Sequence, residues 1–169
     1  SVETRTNNVG LPGKGAGTNF TLVAGTGTAF ARPEDGAWDP VNTSDYYFVT
    51  TDDMTARGGR SRLWRLRFSD VTNNPTAGGT ITLLLDGTEG QEMFDNICIT
   101  RTGRIVLLED PGNDPQVAKI WTYDIATAQF TMIGTHNTNQ FTIGRPGFLT
   151  QDEETSGVID MAGILGYPS

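Results

Sequence analysis

Acids and one arginine recur in this chain at a near-constant spacing, and its chemistry is concentrated there. The stretch FARPEDGAWDP (residues 30–40) sets Arg32 two residues before Glu34 and Asp35, between turn-forming Pro and Gly. Acids return at Asp95, followed by Asn96, and again at Glu153 and Glu154. Asp35 to Asp95 is 60 residues and Asp95 to Glu154 is 59. Carboxylates and an amide are the oxygen donors that a hard cation such as Ca2+ gathers, about six to eight at a time. Packing several of them without a cation costs like-charge repulsion. The alternative for any one acid is turn capping, in which its carboxylate accepts backbone N–H groups. The planar Arg32 guanidinium suits two-pronged binding of phosphate or carboxylate, or a salt bridge to a neighbouring acid.

A second acidic set, Asp52-Asp53 and Glu109-Asp110, follows a strand-like run in each unit. Glu109 is the expected functional member, because it continues the alternation of IVLLE and so points inward. Turn capping competes here as well.

The other reactive residue types offer less. His136 stands alone in the polar loop GTHNTNQ and reads as solvent-exposed, which disfavours a histidine-built transition-metal site. Ser156 in ETSGV has no Gly two residues before it, so a nucleophile elbow is not supported. The segment from Gly10 to Gly17 holds a lysine but not the spacing of a phosphate loop. Cys98, the single cysteine, lies between isoleucines in NICIT and reads as a small buried apolar side chain.

These residues need strands to position them. Twenty-one Gly, eight Pro and no sustained 3.6-residue apolar period point to an all-β chain. Residues 1–17 are polar and Gly-rich and read as an entry arm, with residues 18–169 forming one domain or a fragment of one. Strands are expected over residues 19–24, 46–51, 62–68, 80–85, 96–100, 104–108, 119–123 and 129–133, each bounded by Gly, Pro, Asn or Asp. Thr102-Gly103 marks a tight hairpin. In RLWRLRF, Trp64, Leu66 and Phe68 form an apolar face, and Leu63, Arg65 and Arg67 a mostly basic one.

The runs group into a repeat. DGAW, YYFVTTDD, SRLWRLRFSD and TITLLLDG make one unit; DNIC, RIVLLEDP, AKIWTYDIAT and FTMIGT make a second; DEETSGVID opens a third. Trp64 to Trp121 is 57 residues and Asp52 to Asp110 is 58. Four antiparallel strands per unit at this period describe propeller blades. Trp38, Trp64 and Trp121 then belong to the core between blades. Closure takes roughly four to eight blades, and about three are present. The expected architecture is therefore a partial β-propeller, whose partners are missing blades or other copies of the chain.

The net charge of −8, from 20 acids against 12 bases, disfavours a nucleic-acid partner. It suits cations, or serves only solubility. No apolar run reaches the roughly 20 residues of a membrane-spanning helix, and no signal peptide is visible. A chain that opens on Ser1 reads as a processed or excised piece of something longer.

At RPEDGAWDP, SRLWRLRF, MFDNICITRTGRIVLLEDP and DEETSGVID the chain resembles the PhoX family of secreted bacterial alkaline phosphatases. The resemblance runs in order over residues 20–166. It implies a six-bladed propeller with calcium and iron in its channel, hydrolysing phosphate monoesters in the periplasm or outside the cell. Arg32 is implied as the phosphate-binding group and Glu34 as a metal ligand, with Asp95 and Glu154 as further metal-site acids. The family's iron site also takes a cysteine from an N-terminal half with no counterpart in this chain, and Cys98 does not substitute for it. The implied Fe3+ ligand set is thus incomplete here while Ca2+ remains expected. On this reading the chain is the C-terminal part of a phosphomonoesterase. The alternative is a calcium-stabilised structural or interaction module without catalysis.

Overall fold

The computed structural model describes residues 2–5, 20–23, 30–51, 61–112 and 114–167. The chain divides into two compact units, Ser1–Phe30 and Ala31–Ser169. In the first unit, β1 (Val2–Arg5) pairs antiparallel with β2 (Phe20–Val23), so Val2 faces Val23 and Arg5 faces Phe20. A strand thus lies within residues 1–17, the stretch expected to be an entry arm. Ladder partners make β1, not apolar periodicity, which is why the sequence pattern concealed it.

The second unit is all-β, with two four-stranded antiparallel sheets. Sheet 1 runs β3 (Pro33–Trp38), β4 (Asp45–Thr50), β5 (Arg62–Phe68), β6 (Gly79–Leu85). Sheet 2 runs β7 (Phe94–Ile99), β8 (Arg104–Glu109), β9 (Lys119–Asp124), β10 (Phe130–Thr135). Each is a meander in chain order, as short hairpin links between period-2 strands require. At the β7–β8 hairpin Gly103 takes φ +77° and donates to the Thr100 carbonyl oxygen at 3.1 Å, the expected tight turn. A short 3-10 turn, Pro75–Ala77, precedes β6, and two single-turn helices follow the sheets: α1 (Thr138–Phe141) and α2 (Ala162–Leu165).

The sheets share one core. Tyr47, Val49, Leu63 and Leu85 of sheet 1 pack with Phe94, Ile97, Ile99, Ile105, Leu107, Trp121 and Tyr123 of sheet 2, all buried. The face of β5 that carries arginines is therefore the one turned to sheet 2. Leu63 is buried there, and Arg67 is held by its ladder partner Asp45 through two bonds, Nε to Oδ1 at 2.7 Å and Nη2 to Oδ2 at 2.6 Å. Of the three tryptophans expected in the core only Trp121 is buried; Trp38 is 48% exposed and packs beside Tyr46 and Phe68.

The two sheets repeat in detail. Each begins after a residue held in the left-handed region, Arg32 (φ +49°) and Met93 (φ +54°). The carbonyl oxygen of each accepts from the residue just past the second strand, Thr51 N–H and Asp110 N–H. The register then slips between Pro33 and Gly36 on β3 and between Phe94 and Asn96 on β7. A bulge of this kind re-aims the side chains that it carries. Here those are Glu34 and Asp35 in one sheet and Asp95 in the other.

Past the bulge, Gly36 lies close against β4, where an added Cβ would stand 2.9 Å from the Tyr47 carbonyl oxygen and collide with the Tyr46 ring. Gly36→Ala is expected to cost about 1–3 kcal/mol through this overpacking. A lower midpoint in thermal denaturation followed by circular dichroism would register it.

The third unit does not form a strand. Residues 151–161 carry none, although they contain DEETSGVID. Their course still follows the repeat: Glu154 lies with Asp95 near the start of β7, and Asp160 accepts from the Arg101 N–H at 3.4 Å just beyond its end. No ladder partner for this stretch is present among the described residues, and an extended segment without one is not a strand.

Candidate metal centre

Three stretches deliver the acids. Asp95 sits in the β7 bulge, Asp110 follows the last residue of β8, and Glu154 lies in the extended stretch after α1. One carboxylate oxygen from each falls within 4.8 Å of the others. Asp95 and Asp110 are half-buried and Glu154 is exposed. Asp110 is tied down by its own N–H to the Met93 carbonyl oxygen at 2.9 Å, and its Oδ1 accepts from the Gly112 N–H at 3.1 Å. Beside Glu154, the buried Glu153 accepts from the Ala118 N–H at 2.9 Å, which anchors this stretch to the head of β9.

Electrostatics joins sheet 1 to the cluster. Burial pushes the Asp95 carboxyl above its ordinary range, and the negative charges of Glu34, Asp110, Glu154 and Asp35 add to the shift. Five acids thus act on one place. Asp35 also links the sheets, since Oδ1 accepts from the Gly36 N–H at 2.7 Å and Oδ2 from the Ile97 N–H at 3.2 Å. Glu34 receives Arg32 Nη2 at 3.2 Å, with both side chains partly exposed. This realises the salt-bridge alternative for Arg32. The Asn96 amide donates to Asp95 Oδ2, which steadies that acid.

Glu109 goes elsewhere. It is fully buried, and its carboxylate accepts from the Glu92 N–H (2.9 Å) and Trp121 Nε1 (2.7 Å) on Oε1 and from the Lys119 N–H (3.0 Å) on Oε2. Inward alternation did carry it inside, but into the sheet core and not toward the other acids. Its neighbour Asp110, one step past the ladder, is the residue that joins them. The sequence signal for Asp110 was the acid-proline pair closing RIVLLEDP, where a strand ends and the chain turns. Asp52-Asp53 lies outside the described residues.

His136 is half-buried rather than exposed: Nε2 lies 2.6 Å from Thr155 Oγ1, and the ring rests beside Phe141. Cys98 is half-buried on β7, opposite Val106, and is not part of the acidic cluster. Oxygen-only donors fit a hard cation such as Ca2+. Among the described residues no cysteine or histidine joins them. No helix of the described residues is long and apolar enough to cross a membrane. No protein-family model, no curated protein and no solved structure matches the chain.

Proposed function

We propose that the chain contributes two blades of a PhoX-like β-propeller and binds Ca2+ through Asp95, Asp110 and Glu154, as part of a phosphomonoesterase. The observation that carries this reading is the convergence of three carboxylates from separate stretches, with Glu34 and Asp35 adding negative charge. Clustered acids that cap no common turn are compensated most simply by a divalent cation. The cation would supply charge neutralisation for the phosphate oxygens. Glu34 keeps the Arg32 guanidinium at the rim of the acids, where it binds and orients a phosphate monoester by exchanging a carboxylate partner for phosphate oxygens. The Asp95–Asn96 bond holds one ligand in place. A periplasmic or extracellular setting and an Fe3+ requirement come to the proposal from the family resemblance alone.

The test is hydrolysis of p-nitrophenyl phosphate by the purified chain with Ca2+, with and without Fe3+. Measurable turnover that Glu34→Ala or Arg32→Ala reduces at least tenfold is the expected result. A second reading, a calcium-stabilised module without catalysis, is favoured by Arg32 being already paired. Calcium binding by calorimetry with no turnover under any condition would select it and end the phosphatase reading for this chain.

A further inference from the structure

The three acids of the cluster are not held alike. Asp95 is carried by β7, and Asp110 is tied by its own N–H to the Met93 carbonyl oxygen. Glu154 belongs to a stretch that pairs with no strand among the described residues, and it is the exposed member of the three. Something other than a ladder must bring its carboxylate within 4.8 Å of the others.

The residues on either side of Glu154 are both held at the head of β9. Glu153, only 5% exposed, accepts the Ala118 N–H on Oε1 at 2.9 Å. Thr155 Oγ1 lies 2.6 Å from His136 Nε2. His136 is itself fixed there, because its backbone N–H donates to the Ala118 carbonyl oxygen at 2.9 Å. The imidazole rests beside Phe141, and its Nδ1 is buried without a hydrogen-bond partner. Thr155 is therefore the one hydrogen-bond partner of that ring among the described residues. Consecutive side chains of an extended chain point to opposite sides. Holding residues 153 and 155 on the β9 side turns Glu154 the other way, where its carboxylate meets Asp95 and Asp110.

We propose that Glu153, Thr155 and His136 form a clasp that positions Glu154 as the third cation ligand, with His136 acting only through Thr155. This role rests on the reading that Asp95, Asp110 and Glu154 bind Ca2+. A ligand whose neighbours are already tied has less freedom to lose when the cation binds. Groups that orient a ligand without touching the metal typically carry about tenfold to a hundredfold of its affinity.

Calorimetric titration of the full chain with Ca2+ reads the effect. Thr155→Val removes the hydroxyl while keeping the shape, and His136→Ala removes its partner. Each should weaken Ca2+ binding about tenfold or more. Thr155→Ser returns the hydroxyl and should restore the affinity. A purely structural contact would instead lower the melting midpoint in chelator and leave Ca2+ affinity unchanged. Wild-type affinity in both Thr155→Val and His136→Ala overturns the clasp and leaves the cation site standing. A wild-type chain that binds no Ca2+ overturns the cation site itself, and the clasp with it.

Discussion

Glu109→Ala is expected to destabilise the sheet pair by about 3 kcal/mol or more, because it leaves three N–H donors without an acceptor inside the core. Those donors are the Glu92 and Lys119 backbone N–H groups and Trp121 Nε1. Two of them join β8 to the head of β9 and to its central tryptophan, so the loss strikes the middle of sheet 2. Against a typical total of about 5–15 kcal/mol this is a large fraction. Chemical denaturation followed by tryptophan fluorescence would measure it, and a change below about 1 kcal/mol would refute the role.

The effect should depend on pH in a direction that can be worked out. Burial pushes the Glu109 carboxyl up to about 7, against the pull of its N–H donors and of Lys119. The folded protein therefore holds this proton more tightly than the unfolded chain does. Its contribution is complete below the ordinary carboxyl range and is lost as pH rises through about 7. The penalty of Glu109→Ala should accordingly be greater at pH 5 than at pH 8, by up to about 3 kcal/mol. Equal penalties at both values would show that the carboxylate is buried in its charged form throughout.

The second large effect concerns the acids and has two signs. Without divalent cations, Asp95→Asn should raise thermal stability, because it removes one charge from the repulsion among Glu34, Asp35, Asp95, Asp110 and Glu154. With Ca2+ the order should reverse. A ligand at about 100 times its dissociation constant adds about 2.7 kcal/mol to a fold that alone binds it. Wild type should gain that increment, and Asp95→Asn and Asp110→Ala should lose it. Because the Asp95 carboxyl is pushed upward, protons compete with the cation, and the calcium increment should shrink on acidification. Differential scanning calorimetry with Ca2+ and with chelator decides the matter. A midpoint indifferent to both would exclude a cation at this cluster.

Glu109 and Asp110 also mark how far a pattern of residues can be read. Strand existence was legible because alternation and turn residues are local: seven of the eight strands of the sheets lie within about two residues of an expected range, and β3 covers DGAW, which heads the first repeat unit. The repeat was legible because two blades face the same physical demands. What failed depended on where a face was turned. RLWRLRF has an aromatic face and a basic face, yet the basic one meets sheet 2, because Asp45 neutralises Arg67 while Leu63 fills the core. The blade repeat places Trp38 in the core between blades, whereas its side chain is 48% exposed on the face that no sheet of the described residues covers.

The sequence by itself determined an all-β chain, two four-strand units and a set of acids returning about every 60 residues. It named Asp95 and Glu154 as members of one set. Only the tertiary structure decided that Asp110 completes the trio while Glu109 anchors a tryptophan. The reason is geometric. Alternation says which side of a strand a residue takes, but a bulge or the last step off a ladder re-aims the side chain, and neither has a local sequence signature. Convergence of carboxylates lies further still beyond local pattern, since Asp95, Asp110 and Glu154 meet only when β7, β8 and the stretch after α1 have packed.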